Sequence, residues 1–156
     1  MFSNAAFITF AVCFIALGCS GESSTPQRWQ QSVKAGNKTY FLFNQPLTLI
    51  EADIQCRQEK MKLLSIENEA EYRDLVAKIN EFDTGNPLYV WSSGTLNSDG
   101  TWLWLSTREP ITFFDWVGDF EPEPGMDCIN LNFNFYPKGT YTTTACSTPS
   151  NFICEL

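Results

Sequence analysis

The chain has 156 residues, with 18 acidic side chains against 10 basic ones, six cysteines and no histidine. The absence of histidine excludes Ser-His and Cys-His nucleophilic catalysis and removes the commonest zinc ligand. A formal charge of −8 disfavours binding to nucleic acid or to anionic membrane surfaces, while the length and the 44% of hydrophobic residues indicate one globular domain with a substantial core.

The first twenty residues are typical of a secretory signal peptide. Residues 5–17 form an uncharged, apolar run that is followed by small residues. The run is too short to cross a hydrocarbon core of roughly 30 Å, which takes about 20 residues, and no second candidate follows it. We therefore expect residues 1–20 to be removed, the mature protein to be secreted, and no segment to span a membrane. An uncleaved anchor or a bacterial lipoprotein signal at Leu17-Gly18-Cys19 is the alternative.

A polar tether is predicted ahead of the compact part of the chain. Residues 21–38 are rich in Ser and Gln and show no sustained periodicity, so we place the tether there and a folded domain over residues 39–156. The domain opens with an aromatic run at residues 40–43, which favours a strand, and Asn44-Gln45-Pro46 is predicted to end that strand.

Two helices are predicted next, each from a start signal. Thr48 followed three residues later by Glu51 is a capping box, in which the hydroxyl and the carboxylate each satisfy a backbone donor. The helix is predicted over residues 49–59. A second start lies at Asn68 with Glu71 as its partner, and an apolar stripe at helical spacing follows it. Both apolar stripes are interpreted as core-facing.

Beyond residue 80 the helical period disappears and short β-type runs take over, separated by Gly, Pro, Asn and Asp. The runs lie at residues 88–91, 101–105, 128–133, 139–144 and 152–156. A strand, two helices and then several strands form an α+β pattern rather than alternating βαβ units.

The cysteines fit an exported chain. Cleavage after residue 20 would leave four of them, at positions 56, 128, 146 and 154. An even set is most simply two disulfides, for which three pairings are possible, and buried free thiols are the alternative. A zinc site is disfavoured because there is no C-x-x-C pair and no histidine. The triplet Asn37-Lys38-Thr39 makes Asn37 a candidate for N-glycosylation in the same context.

An ordered set of motifs over residues 39–156 resembles a C-type lectin domain, and most closely its small secreted invertebrate members. In chain order the motifs are Cys56, Leu63-Leu64-Ser65-Ile66, Glu71, Trp91-Ser92-Ser93-Gly94, Trp102-Leu103-Trp104, Trp116, Cys128, Cys146 and Phe152-Ile153-Cys154-Glu155. Any one of them alone would be a weak signal, whereas the ordered combination is specific.

The resemblance implies an α+β, C-type lectin-like fold of the short form. In that fold two helices pack on short antiparallel sheets, and a long irregular loop region carries the ligand site. It also implies the disulfides Cys56–Cys154 and Cys128–Cys146. Such loops would contribute about 4–5 and about 3 kcal/mol respectively by chain entropy, as much as the net stability of a domain of this size.

The tryptophans are expected to divide between core and surface. Trp91, Trp104 and Trp116 match scaffold positions of the family, so the resemblance implies that they pack in the core. Trp102 is expected to face the other side from Trp104 and is predicted to be the more exposed ring.

Sugar-binding members of the family hold Ca²⁺ with a Glu-Pro-Asn or Gln-Pro-Asp loop, a Glu shortly before the second cysteine and an Asn-Asp pair ahead of the third. Ca²⁺ takes six to eight oxygen ligands, several of which must be charged or carbonyl oxygens. In this chain Glu121-Pro122-Glu123 stands where the proline motif belongs, and Met126 replaces the Glu, with Asp127 beside it.

Ahead of Cys146, Thr142 and Thr143 replace the Asn-Asp pair. The resemblance therefore places the ligand site at residues 121, 123, 127, 142 and 143. Three of the family's five ligand positions, now occupied by Met126, Thr142 and Thr143, have lost their amide or carboxylate. We expect no cofactor to be required. Ca²⁺ held by Glu121, Glu123 and Asp127 is the alternative.

Most of the net charge lies in this same region. Residues 109–137 contain six acids and no Lys or Arg, whereas the rest of the chain has 12 acids and 10 bases. Solvated loop charge is the simplest interpretation. A cation site and a docking surface for a basic protein are the others, because concentrated charge steers partners of opposite sign.

Three functions follow from these observations. A secreted recognition protein that binds a glycan or glycoprotein, with a degenerate Ca²⁺ site, is favoured. The alternative is a metal-independent protein-binding domain whose acidic loop docks a basic protein or a second C-type lectin-like chain. An enzyme is disfavoured, because carboxylate pairs such as Glu121 and Glu123 are common and nothing else positions a reaction.

Overall fold

The computed structural model describes residues 31–81, 88–118, 123–133 and 139–156. The predicted signal peptide, most of the predicted tether and Glu121 lie outside these ranges. Along the described part of the chain, no helix combines the length and the apolar character that crossing a membrane would need.

Within the described ranges, two helices and eight strands form one layered domain. In chain order they are β1 (Gln31–Ala35), β2 (Lys38–Leu47), α1 (Leu49–Gln58), β3 (Lys62–Leu63), α2 (Glu69–Asn80), β4 (Tyr89–Leu96), β5 (Trp102–Trp104), β6 (Cys128–Asn132), β7 (Thr140–Thr144) and β8 (Ser150–Glu155). The α+β class and both predicted helices are confirmed.

The strands form a single mixed sheet with the order β1-β2-β8-β4-β6-β7, to which β3 adds at β8 and β5 at β4. All the pairs are antiparallel except β4 with β8, which run parallel. The expectation of antiparallel sheets is therefore corrected at this pair. A parallel pair needs a long crossover between its strands, and here everything from β5 to β7 lies between β4 and β8.

Both predicted helix starts are present, with one difference. In α1 the Thr48 hydroxyl accepts from the Glu51 N–H, and the Glu51 carboxylate accepts from the Thr48 N–H at 3.0 Å, which completes the capping box. In α2 the Asn68 side chain accepts from the Glu71 N–H at 3.0 Å. The Glu71 carboxylate, however, accepts from the Glu67 N–H, one residue earlier than the cap.

Each face of the sheet carries its own core. On the α1 face, Trp91 is fully buried among Phe43, Phe152 and the helix residues Leu49 and Ala52. On the α2 face a larger core surrounds the buried ring of Tyr141, and it includes Trp104, Leu75 and Ile79. Trp102 is more exposed than Trp104, as predicted, because Trp104 is 3% exposed and Trp102 is only partly buried. The two rings do not face opposite sides, however, since residues two apart on a strand point to the same face and both rings pack against the α2-face core.

Both disulfides implied by the resemblance are present. Cys56–Cys154 joins α1 to β8 across 98 residues of sequence. Cys128–Cys146 joins the first residue of β6 to the segment that follows β7. The long loop formed by the first bridge is the larger constraint on the unfolded chain.

The predicted tether is partly wrong, since residues 31–35 of it form strand β1. Gln31, Val33 and Ala35 face inward while Ser32 and Lys34 are exposed, which is the two-residue alternation of an edge strand. Only two of the inward-facing residues, Val33 and Ala35, are apolar. The local sequence is therefore too polar to predict a strand, and pairing with β2 is what forms it.

Gly94 on β4 is predicted to be a packing constraint. A Cβ at this position would lie 2.8 Å from Cδ1 and 2.9 Å from Cβ of Ile129 on β6. We expect Gly94→Ala to lower the free energy of unfolding by about 1–3 kcal/mol through overpacking. Guanidinium unfolding with both disulfides intact measures this, with Thr95→Ala at the adjacent, half-buried position as the control. An unchanged midpoint for Gly94→Ala would contradict the close packing of these two strands.

Candidate functional site

The predicted ligand residues are not all brought together. Thr142 and Thr143 are consecutive on β7, where both are half-buried. Glu123 is exposed, and the half-buried Asp127 precedes β6, with its backbone carbonyl accepting from the Leu96 N–H at 2.8 Å. Glu121 lies outside the described residues. Thr142 and Thr143 line one cavity, and neither Glu123 nor Asp127 is among its described lining residues.

That cavity, which we call the threonine cleft, has a volume of about 370 Å³. It is lined by Tyr89, Asn130, Thr142, Thr143, Thr144, Thr148, Pro149 and Ser150. These eight described residues have uncharged side chains. Six of them end in a hydroxyl or an amide, and Tyr89 adds a phenol. Neither Glu123 nor Asp127 is among them.

Strand pairing positions these polar groups. The register of β6 and β7 sets Asn130 directly opposite Thr142, and the Thr142 hydroxyl donates to the Asn130 side-chain oxygen. At the other wall, the Ser150 hydroxyl donates to the Tyr89 carbonyl at 2.9 Å and so joins the start of β8 to the start of β4. The cleft is therefore built on rigid strands rather than on loops alone.

The turn after β7 forms the third side of the threonine cleft. The Thr148 N–H donates to the Ala145 carbonyl at 2.9 Å, and the hydroxyls of Thr144 and Thr148 lie 3.3 Å apart. The Cys128–Cys146 disulfide lies within this segment and holds it against β6. Sequence reasoning identified Thr142 and Thr143 but missed Tyr89, Asn130 and Ser150, whose strands are far apart in the chain.

The described residues do not fit a Ca²⁺ site of the family's familiar kind. Neutral hydroxyls at Thr142 and Thr143 offer a dication no charge compensation, and the Thr142 hydroxyl is already bonded to Asn130. The Thr143 hydroxyl oxygen is buried and has no hydrogen-bond partner among the described residues. Across the described ranges, three or more acidic, histidine or cysteine side chains nowhere converge in a way that would hold a metal ion.

The described acids of the stretch 109–137 differ in their environments. The Asp115 carboxylate accepts from the Tyr72 hydroxyl, and its backbone carbonyl accepts from the Tyr141 N–H at 2.7 Å. Asp115 is therefore a structural link between α2, the loop and β7. Glu109 and Glu123 are exposed, while Asp119 and Glu121 lie outside the described residues.

A second polar cluster, which the sequence did not reveal, lies at the other end of β8. Lys38 Nζ is 2.7 Å from Glu71, 3.0 Å from Glu67 and 3.7 Å from Glu155. The Tyr40 hydroxyl donates to Glu71 at 2.6 Å, which fixes the β1–β2 hairpin against α2. The sequence indicated Glu71 as a helix-start residue and as one of the family's motifs, but not as a partner of Lys38 and Tyr40.

Glu155 is the buried member of this cluster. Burial raises the pKa of its carboxyl group, against the lowering effects of the Ser65 hydroxyl at 2.6 Å and of Lys38. Burial also acts to lower the pKa of Lys38, but the contacts with Glu71, Glu155 and Glu67 outweigh it and raise that pKa above its ordinary value.

The raised pKa of Glu155 predicts a pH dependence of stability. The folded state binds this proton more tightly than the unfolded state, so the stability associated with Glu155 falls as pH rises from the unfolded pKa through the folded one. We expect the melting temperature of the wild type, relative to that of Glu155→Gln, to rise as the pH is lowered from neutral to about 5. Thermal unfolding across that range measures it, and a shift in the opposite direction would show that the contacts with Lys38 and Ser65 dominate over burial.

Comparisons with known proteins agree with this fold. Residues 45–156 match the family model described as the lectin C-type domain. E-selectin of Equus caballus is 24% identical over 125 residues, which cover 78% of this chain and 20% of that protein. The chain thus spans about a fifth of the length of this curated relative.

Two solved structures illustrate the structural similarity. The carbohydrate-recognition domain of the mouse scavenger receptor C-type lectin has a TM-score of 0.65 and 24% identity, covering 84% of this chain and 94% of that one. The Ca²⁺-independent C-type lectin SPL-2 from Saxidomus purpuratus has a TM-score of 0.64 and 18% identity, covering 84% of this chain and 92% of that one.

Proposed function

The chain belongs to the C-type lectin domain family, and on that basis we propose that it is a secreted recognition protein that binds neutral glycans in the threonine cleft without requiring Ca²⁺. The observation that carries the proposal is the chemistry of the cleft lining. Hydroxyl and amide groups that donate and accept hydrogen bonds line the cavity, and none of its described lining residues is charged. A sugar offers the complementary pattern of hydroxyl groups.

The size and shape of the cleft support the same ligand class. Its volume of about 370 Å³ lies within the range of small-molecule sites, at the lower end, and suits one or two sugar rings. Tyr89 is 38% exposed and, with Pro149, offers a flat apolar surface to the carbon face of a sugar. The hydroxyls then fix the orientation of that ring.

A metal-independent mode is consistent with the residues at the family's ligand positions. The neutral side chains at Thr142 and Thr143 give a dication no charge compensation, whereas an uncharged sugar needs none. SPL-2, whose fold this chain shares, is itself described as Ca²⁺-independent. Two disulfides support an oxidising, extracellular environment for the folded domain.

Glycan binding should therefore survive removal of calcium. We expect a glycan array probed with the purified protein to show the same neutral ligands in Ca²⁺ and in a chelator, because the cleft supplies all of the hydrogen bonds itself. Binding that chelation abolishes would overturn the metal-independent mode. If no glycan binds while Glu121→Gln and Glu123→Gln weaken capture of a basic protein, the acidic-loop alternative is supported instead.

Two substitutions test the cleft directly. Tyr89→Ala removes the exposed ring and Thr142→Val removes a lining hydroxyl at constant shape, and each should weaken the affinity for the array ligand by about tenfold or more, equivalent to about 1.4 kcal/mol. Thr101→Val, at an exposed threonine outside the cleft, is the matched control. Isothermal titration measures the affinities, and melting temperatures show that the variants are folded. Affinities equal to that of Thr101→Val would place the ligand elsewhere.

A further inference from the structure

The N-glycosylation triplet lies at the tip of the hairpin between β1 and β2. Ala35 pairs with Lys38, so that Gly36 and Asn37 form a two-residue turn. Gly36 has a φ of 58°, the left-handed conformation that suits glycine at the first position of such a turn. Asn37 is exposed at the second position, and Asn37-Lys38-Thr39 is the single Asn-x-Ser/Thr triplet in the sequence.

Open space surrounds this turn. A Cβ placed on Gly36 would meet no atom within 4 Å. Asn37 itself lines a cavity of about 340 Å³ between the hairpin and the first turns of α2. Asn68 and Asp74 line the opposite wall and offer polar groups to a first sugar, while Ala70 leaves room beside them.

We infer that Asn37 carries an N-linked glycan whose first sugar lies in this cavity. The donor is an oligosaccharide linked through a diphosphate to a lipid. The side-chain nitrogen Nδ2 of Asn37 forms a bond to the anomeric carbon of the first sugar as the bond from that carbon to the phosphate oxygen breaks. The lipid diphosphate leaves with the bonding electrons, and Nδ2 loses one of its two protons.

The topology leaves the triplet accessible while the chain is being made. The backbone N–H of Thr39 donates to the Leu156 carbonyl at 3.0 Å, and the Leu156 N–H donates back at 2.9 Å. Thr39 pairs with Lys34 in the hairpin and gains these two further bonds only after Leu156 has been made. Afterwards the exposed turn keeps Asn37 outside the packed core.

The glycan and the threonine cleft lie at opposite ends of the sheet. The hairpin tip adjoins the end of β8 at Glu155, whereas the cleft adjoins its beginning at Ser150. A glycan at Asn37 therefore leaves the cleft open. Glycan attachment and ligand binding are separate properties, and either can fail without the other.

The experiment uses the full chain with its own N-terminal segment, expressed in cultured mammalian cells. Intact mass spectrometry should show one N-linked glycan, which peptide N-glycosidase F removes and which leaves the mass signature of deamidation at Asn37. Asn37→Gln and Thr39→Val should each abolish the glycan, and Thr39→Ser should retain it. Asn97→Gln, at another exposed loop asparagine that lacks the triplet, is the matched control and should change nothing.

Two outcomes overturn the inference. Recovery of only unglycosylated wild-type protein, whether from the medium or from the cells, shows that the site is not used. A glycan that persists in Asn37→Gln shows that another residue carries it. Melting temperature and ligand affinity of Asn37→Gln equal to those of the enzymatically deglycosylated wild type confirm that the variant is folded.

Discussion

The pairing of the last strand, β8, is the constraint on which the rest of the molecule depends. β8 is flanked by β2 and β4 in the middle of the sheet and also pairs with β3. Its side chains alternate between the two cores: Phe152 stacks on Phe43 at 4.7 Å on the α1 face, while Ile153 lies in the α2-face core. Cys154 then bonds α1 to the same strand, so the final residues of the chain complete both cores.

This arrangement also positions the two polar sites of the molecule. The beginning of β8 contributes Ser150 to the threonine cleft, and the end contributes Glu155 to the cluster around Lys38. Because one short strand carries both, the two sites are held at a fixed separation by backbone hydrogen bonds. The cleft is neutral and built for hydrogen bonding, whereas the cluster is charged and ties the hairpin to α2. Their chemistries suit different roles, ligand recognition at one end and attachment of the first strands at the other.

The local elements were predictable because their signals are local. Thr48 and Glu51 satisfy each other's backbone donors within one turn, and the helix follows. The strand predicted to end at Asn44-Gln45-Pro46 instead continues to Leu47 through a register shift. Proline has no N–H to give to a ladder, which explains the irregularity, but β8 resumes pairing at Ser150 and extends the strand. The end of β2 therefore depends on its pairing with β8, which lies about 100 residues later in the chain and cannot be predicted from the residues around Pro46.

The candidate site was likewise only partly predictable from the sequence. The family resemblance led to Thr142 and Thr143, and these residues do line the cleft. It also grouped them with Glu123 and Asp127, which the structure leaves outside the cleft lining. Tyr89 and Asn130 join the threonines only because β4, β6 and β7 pair side by side. The spacing of these residues along the chain does not predict that they are neighbours in the structure.

By itself, the sequence determined the α+β class, the two helices with their caps, the absence of histidine chemistry and the family to which the chain belongs. It also placed most of the negative charge between residues 109 and 137. Only the tertiary structure decided that Asp115 is a structural link, that a neutral cleft lies beside β7, and that residues 31–35 belong to the sheet. The physical reason is that capping and composition act within a few residues, whereas strand partners, burial and cavity walls are set by contacts between segments far apart in the chain.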